Sequence, residues 1–122
     1  MSVPVVAPDF EAEVRFLTVA EGGRLGPPIQ GMYRPDISYD GDPAGQVFMV
    51  WPWFFGENGE DLPEGTTIPP ATRARFYIAS DNARPVLRQR TREGLQFYLN
   101  EGRKRVAVCR VTKILSLNRD AA

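Results

Sequence analysis

Histidine is absent from this chain of 122 residues, and cysteine occurs only once, as Cys109. The absence of histidine removes the most frequent general base and metal ligand of proteins, and it excludes Ser–His and Cys–His catalytic pairs. A single cysteine excludes an intrachain disulfide and the ordinary forms of structural zinc site. Because Cys109 lies in a segment of alternating apolar residues, we expect a buried apolar side chain there rather than a reactive thiol.

Phosphate-binding motifs and long apolar segments are also missing. The chain contains neither a GxxxxGK[ST] loop nor a GxGxxG turn after a strand, so we predict no nucleotide binding. The longest apolar run, residues 47–55, is too short to cross a bilayer and contains Pro52, and the N-terminus lacks the pattern of a signal peptide. We therefore predict a cytoplasmic, non-enzymatic protein that binds no cofactor, metal or membrane.

Charge is balanced over the whole chain but is distributed unevenly along it. Residues 1–72 hold three arginines against eleven carboxylates, and residues 73–122 hold twelve basic side chains against four acidic ones. This asymmetry is compatible with an anion-binding face. The alternative is that strands from the two halves interleave in space, so that the charges are separated only in the sequence.

Alternating apolar residues predict a series of short β-strands. The predicted strands are residues 10–16, 36–39, 46–54, 73–79 and a hairpin over 95–115 that turns at Glu101 and Gly102. No convincing helix is expected, although Pro85 is compatible with a helical turn. We predict one all-β domain over residues 1–122, with its core at about 9–116 between short disordered tails. Periodicity alone leaves a small barrel and a sandwich open.

Seven short motifs occur in a fixed order along the chain. They are FEAEV (residues 10–14), EGGR (21–24), Gly31 with YRP (33–35), LPEG (62–65), Gly94 and Leu95 with Phe97, the pair Glu101 and Gly102, and VTKIL (111–115). Together they resemble the C-terminal, third β-barrel domain of bacterial elongation factor Tu. The resemblance implies a small closed antiparallel barrel of six strands. Because the GTPase domain and the middle barrel of that family have no counterpart in the sequence, we expect a stand-alone binding module.

The resemblance implies two alternative functions, because in that family the third barrel meets protein partners and also contributes to the surface that grips the stems of aminoacyl-tRNA. The first is binding of a protein partner or self-association, in a regulatory, inhibitory or immunity-type role. The alternative is an accessory RNA-binding role in translation. The residues implied for contact with tRNA are Arg24, Glu101, Gly102, Arg103, Lys104 and Arg105.

Two positions depart from the family pattern near this implied RNA surface. Leu25 stands where the family has a histidine, and Asp36 stands where the family has a glutamine after YRP. A carboxylate at position 36 repels phosphate, so this departure weighs toward the protein-binding alternative.

The aromatic segment 47–55 is apolar on both faces, whereas a single barrel covers only the inner face of a strand. We predict that Val47, Met49, Trp51 and Trp53 face inward, because the largest rings gain most from burial. The other face is then an outer apolar patch, which is either covered by the long loop of residues 56–72 or used as a contact surface. The residues predicted for such a protein interface are Phe48, Val50, Phe54 and Phe55.

Overall fold

The structure, a computed structural model, describes residues 6–42 and 47–118. Within these residues the elements are β1 (Phe10–Phe16), β2 (Asp36–Ser38), β3 (Phe48–Phe55), β4 (Ala71–Ile78), α1 (Arg84–Arg90), β5 (Gln96–Glu101) and β6 (Lys104–Ile114). The strands form a closed antiparallel barrel in the order β1-β4-β3-β2-β5-β6. The prediction of an all-β, closed six-stranded barrel is confirmed. Most of the predicted disordered tails, and Gln46 of the third predicted strand, lie outside the described residues.

The barrel interior is filled by the inward-facing residues that the alternation predicted. On β1, four apolar residues are buried and alternate with three charged residues that face outward. At the centre, Phe10 stacks on Phe76 with 5.0 Å between ring centroids, and both rings meet the edge or face of Phe97. Cys109 belongs to the same core, and burial raises the pKa of its thiol well above the ordinary value. The expected burial of Cys109 is therefore confirmed.

Helix α1 closes the end of the barrel where β1 begins and β4 ends, which we call the lower end. Its Leu87 is fully buried in the core, and Arg84 is only 2% exposed. The Arg84 guanidinium pairs with Asp9 at 2.5 Å, and the Asp9 carboxylate also accepts the backbone N–H of Ile78. No side chain caps the N-terminus of α1, although Pro85 occupies its first turn. Local sequence signals were weak because this helix depends on tertiary contacts.

Strand β3 faces the opposite way from the prediction. Val50 and Phe54 are fully buried in the core, and Phe48 packs partly against it. Met49 is 51% exposed and Trp51 lies on the same outer face. The predicted outer patch of Phe48, Val50 and Phe54 is therefore wrong, and so is the inward placement of Val47, Met49, Trp51 and Trp53.

The chemistry of the indole ring explains the outward orientation of Trp51. A tryptophan ring carries an N–H that needs an acceptor when it is buried. Facing outward, Trp51 donates its Nε1–H to the carbonyl oxygen of Gly31 at 3.3 Å. The narrow interior takes Val50, Pro52 and Phe54 instead, and none of these side chains carries a polar atom.

Strands from the two halves of the chain interleave in the barrel, and ion pairs form between them. This agrees with the second of the two explanations given for the charge asymmetry. Six pairs join a residue of the first half to a residue of the second: Arg24–Glu101, Arg75–Glu11, Arg75–Asp61, Arg84–Asp9, Arg90–Asp42 and Arg105–Asp40. Hydrogen bonds from Arg90 lower the pKa of Asp42 below its ordinary value. Four cations of the second half, Arg75, Arg84, Arg90 and Arg105, are therefore paired with carboxylates of the first half, whereas a set of cations on β6 described below is not.

Candidate functional site

The upper half of the outer face of β3 is covered by two loop segments, residues 29–33 and 62–68, which we call the roof. The buried side chain of Gln30 ties them together. Its amide nitrogen donates to the carbonyl oxygens of Phe54 and Leu62 at 2.9 and 3.0 Å, and its amide oxygen accepts the N–H of Phe54 at 3.0 Å. Because β2 pairs with β3 only at Asp36 and Ile37, Gln30 supplies the hydrogen bonds that a longer β2 would have made.

Gly31 brings the roof into direct contact with the ring of Trp53. A Cβ atom at position 31 would stand 3.3 Å from Cη2 of Trp53 and 3.2 Å from Cγ of Glu64, and the residue has a φ of +88°. Both features favour glycine. Trp53 is consequently only 2% exposed although it faces away from the core. Trp53 was predicted to face the core, so its burial under the roof was not anticipated, and the loop after β3 does not cover the patch of Phe48, Val50 and Phe54 for which cover was considered.

Phe55 is also covered on the outer face, in this case by arginines. The guanidinium carbons of Arg73 and Arg75 lie 4.9 and 4.1 Å from the centroid of its ring. Arg75 is itself held by Asp61 at 2.9 Å. Phe55 is only 3% exposed, so its ring is not accessible to a partner. The structure therefore does not support its predicted role in an interface.

The lower half of the outer face of β3 remains open to solvent. Met49 is 51% exposed, and Met32, next to Gly31 in the roof, is 75% exposed. Trp51, two residues after Met49 on the same face, is half-buried. Its Nε1–H is bonded to the carbonyl oxygen of Gly31, the residue before Met32, and the Arg34 guanidinium lies 4.0 Å from the centroid of its ring. We call Met32, Arg34, Met49 and Trp51 the Met–Trp surface. Methionine, tryptophan and arginine are the residue types most enriched in protein interfaces, so this composition is typical of a contact surface.

The residues implied for RNA contact do come together at the upper end of the barrel, where β1 ends and β4 begins. Glu101 Oε2 accepts a hydrogen bond from Arg24 Nε and another from the Tyr33 hydroxyl, both at 2.8 Å. Burial, followed by the bond to Glu101, raises the pKa of Tyr33 far above its ordinary value. Arg24 and Glu101 thus join the EGGR loop to the β5–β6 turn, and their charges neutralise each other in this ion pair.

The next residues of the β5–β6 turn are more open. Gly102 has a φ of +64° and open space around it, while Arg103, Lys104 and Arg105 are exposed. Arg105 lies over the ring of Tyr98 at 3.7 Å and reaches Asp40 at 3.4 Å. Of the cations implied for RNA contact, only Arg103 and Lys104 therefore keep a charge without an ion-pair partner among the described residues.

Further cations without such a partner follow β6 along its outer side. In the described part of the chain, those on β6 or in the turn before it are Arg103, Lys104, Arg110 and Lys113, while Arg73 and Arg92 lie on other segments. From Lys104 to Lys113 an extended strand covers roughly 30 Å. We call Arg103, Lys104, Arg110 and Lys113 the basic row, and their charges have no ion-pair partner among the described residues.

Sequence reasoning missed the Met–Trp surface, although it selected the correct strand. The alternation of residues 47–55 was visible, but both faces were apolar, so nothing in the pattern marked the inner one. The antiparallel register sets Pro52 opposite Phe76 and Trp51 opposite Tyr77. Because the structure buries Phe76 in the core, this register places Pro52 inside and Trp51 outside.

The described residues contain no group of three or more histidine, cysteine, aspartate and glutamate side chains arranged to hold a metal ion. No helix among them is long and apolar enough to cross a membrane. The fold defines the chain as a small closed antiparallel β-barrel with one plugging helix. No model of a known protein family matches the sequence. No curated protein matches it either.

Proposed function

We propose that this chain is a non-catalytic module that binds another protein through the Met–Trp surface. The observation that carries the proposal is the 51% exposure of Met49 beside the Arg34–Trp51 stack, together with the 75% exposure of Met32, which follows the Gly31 that Trp51 contacts. Flexible methionine side chains adapt to a partner, and a half-buried indole ring supplies a rigid anchor. The regulatory, inhibitory or immunity-type role inferred from the sequence, and the cytoplasmic location, remain predictions attached to this proposal.

The non-catalytic part of the proposal is supported by the chemistry of the available side chains. The chain has no histidine, and its only thiol, Cys109, is buried with a raised pKa. A thiol with a raised pKa is a poor nucleophile at neutral pH because the thiolate is scarce. Of the adjacent carboxylates Glu60 and Asp61, the second is occupied by an ion pair with Arg75.

Affinity capture from the native cell lysate, with the purified chain as bait, tests the protein-binding proposal. The matched bait is Met49→Lys, because Met49 lies opposite Asp36 in the β2–β3 ladder and a lysine there gains a carboxylate neighbour. We expect a partner that survives ribonuclease treatment and is lost with the Met49→Lys bait. Direct binding of that partner should also change the emission of Trp51, one of only two tryptophans in the chain.

A second variant keeps the capture experiment specific to this surface. Leu25 is 89% exposed at the upper end of the barrel, so Leu25→Asp changes an exposed apolar residue elsewhere. We expect Leu25→Asp to retain the partner. Binding through the Met–Trp surface would be contradicted if both variants lost the same proteins. It would also be contradicted if both variants retained them.

The second candidate function is RNA binding, and the basic row is the observation that favours it. Phosphate contacts by lysine and arginine release counterions, so each contact lowers the logarithm of the affinity by about one unit per decade of salt. With labelled bulk tRNA as the probe, replacing Arg103 and Lys104 by alanine should reduce that slope by about two. Arg15→Ala is the matched control, because Arg15 is exposed but paired with Glu21.

The outcome of the tRNA titration separates the two candidate functions. Absence of binding at about 0.1 M salt would remove the RNA candidate and leave the protein proposal untouched. Arg24→Ala is a poor test of RNA contact, because it also breaks the link to Glu101 that holds the EGGR loop. The relationship to the third barrel of elongation factor Tu likewise remains a proposal, which the closed six-stranded architecture supports.

A further inference from the structure

An apolar groove lies at the upper end of the barrel, away from both the Met–Trp surface and the helix α1. Its volume is about 480 Å³, and it runs between residues 16–19, 24–28 and 67–70. The buried side chains of Phe16 and Ile68 contribute to its lining, together with the ring of Pro28. The resemblance implies RNA contact for Arg24 at the edge of the groove, but neither it nor the proposed function assigns a ligand to the apolar groove itself.

The groove is held in shape without any ligand. Four of its lining residues are the prolines Pro27, Pro28, Pro69 and Pro70, whose rings fix the backbone φ angle. The walls are joined by two backbone hydrogen bonds, from Phe16 N to Pro70 O at 2.8 Å and from Ile68 N to Pro28 O at 3.0 Å. Because proline has no N–H, these four positions offer no backbone donor, so the groove is suited to an apolar side chain rather than to an added strand.

Two protruding apolar side chains stand at the margin of the groove. Leu25 is 89% exposed and Val19 is 58% exposed, and both contribute to the lining. An exposed leucine beside an apolar concavity gives one surface patch both a protruding and a receiving part. This is the requirement for a contact between two identical patches, in which each copy inserts what the other receives.

The charges around the groove are paired within the chain, so its margin is close to neutral. Arg15 pairs with Glu21 at 3.2 Å, and Arg24 pairs with Glu101 at 2.8 Å. A charged ligand therefore finds no free counter-charge at this margin. A neutral apolar side chain from a second copy meets no such obstacle.

We propose that the groove binds Leu25 of a second copy of this chain, in a two-fold symmetric contact that buries both leucines. The contact is small, and interfaces that bury less than about 1,200 Å² in total belong to the weak, transient class. A weak dimer that forms as the concentration rises is therefore the expected state. This inference is independent of the proposed function, because none of the residues that line the groove belongs to the Met–Trp surface.

Sedimentation velocity on the full chain, from about 10 µM to about 1 mM, tests the proposal by mass action. The weight-average mass should rise from the monomer value of 13.7 kDa toward twice that value. Leu25→Asp should remain monomeric throughout, with an unchanged melting temperature because the side chain is exposed. Met49→Lys is the matched control, since it changes an exposed apolar residue on the other surface, and it should dimerise as the wild type does.

Nuclear magnetic resonance on a mixed sample of labelled and unlabelled chains supplies the second measurement. Intermolecular contacts are expected between the methyl groups of Leu25 in one copy and those of Ile68 in the other. A chain that stays monomeric to about 1 mM overturns the proposal. So does a dimer that survives Leu25→Asp, or one that Met49→Lys abolishes, since the latter places self-association on the Met–Trp surface.

Discussion

The two faces of β3 are both apolar, but they are covered in different ways. On the inner face, Val50 and Phe54 are fully buried in a core to which all the strands contribute. On the outer face, Trp53 is buried only because the roof lies over it. Below the roof, Met49 on the same face remains half exposed. Residues of this one strand therefore lie in three environments: the core, the site under the roof and the open surface.

The comparison teaches that a loop covers an apolar face less completely than the barrel core does. Phe54 is surrounded by apolar groups, whereas Trp53 Nε1 is buried with no hydrogen-bond partner among the described residues. A buried N–H without a partner costs about 1–3 kcal/mol. The roof also depends on one polar side chain, Gln30, whose three hydrogen bonds join it to β3. We therefore expect the roof to open before the core does.

The largest effect is expected for Phe54→Ala, which removes a ring from the shared core. Large-to-small changes of this kind typically lower the free energy of unfolding by about 3–5 kcal/mol. Urea denaturation followed by circular dichroism measures the change. A loss below about 1 kcal/mol would show that Phe54 does not occupy the core and would remove the distinction between the two faces.

The next largest effect is expected for Gln30→Ala, which detaches the roof. Phe54 N–H then loses its partner, and the carbonyl oxygens of Phe54 and Leu62 lose the amide donor. We expect a loss of about 2–4 kcal/mol, since each missing bond contributes about 1 kcal/mol and an unpaired buried group costs more. Hydrogen exchange should accelerate in residues 62–68 before it does in β1. Uniform acceleration across the barrel would mean that the roof is not a separate unit.

A smaller effect, dependent on pH, is expected for Tyr33→Phe at the edge of the roof. Burial and the bond to Glu101 raise the pKa of Tyr33 in the folded state. An unfolded tyrosine titrates near pH 10, so the contribution of this group is complete below about pH 10 and is lost as the pH rises further. The variant should be less stable by about 1 kcal/mol at neutral pH.

The difference between wild type and Tyr33→Phe should then be constant up to about pH 9 and should shrink as the pH rises through about 10 to about 11. Thermal denaturation over that range measures it. Because the pKa values of Tyr39 and Tyr77 are also raised, the wild type itself should lose stability in alkali, and only the difference reports Tyr33. A difference that stays constant over this range would contradict the assigned role of the Tyr33–Glu101 bond.

The smallest effect on stability is expected for Met49→Lys on the open part of β3. Substitution at an exposed site changes the free energy of unfolding by about 0.5 kcal/mol or less. The same change should nevertheless abolish capture of the protein partner. A large loss of stability would show that Met49 is covered like Trp53, and the Met–Trp surface would then no longer be a contact surface.

Much of the fold was predictable because local alternation and turn residues agree with it. The bounds of β1 were predicted as residues 10–16, and the hairpin that contains Glu101 and Gly102 is present. The closed barrel itself followed from the resemblance, since periodicity left a sandwich open. Helix α1 was missed because its support comes from Leu87 and Arg84, which contact residues far away in the sequence.

The candidate site was less predictable because it depends on pairing between strands. Which face of β3 is inner follows from its register with β4, and register is a property of two segments. Arg24 and Glu101 are 77 positions apart in the sequence, so their pairing could not be predicted from local patterns. This pairing neutralises the positive charge of Arg24, which was predicted to contact tRNA. The distance between Met32 and Met49 along the chain likewise hid the surface that they share with Trp51.

Closure of the barrel by its first and last strands has a consequence for biosynthesis. β1 pairs along its length with β6, and the backbone N–H groups of Leu115 and Leu117 bond to the carbonyl oxygen of Asp9. During translation, one edge of β1 therefore stays unpaired until β6 has left the ribosome. Until then β1 and β5 expose unpaired edges that are liable to aggregate. Nascent chains that stop before β6 should accordingly depend on chaperones that the finished barrel does not need.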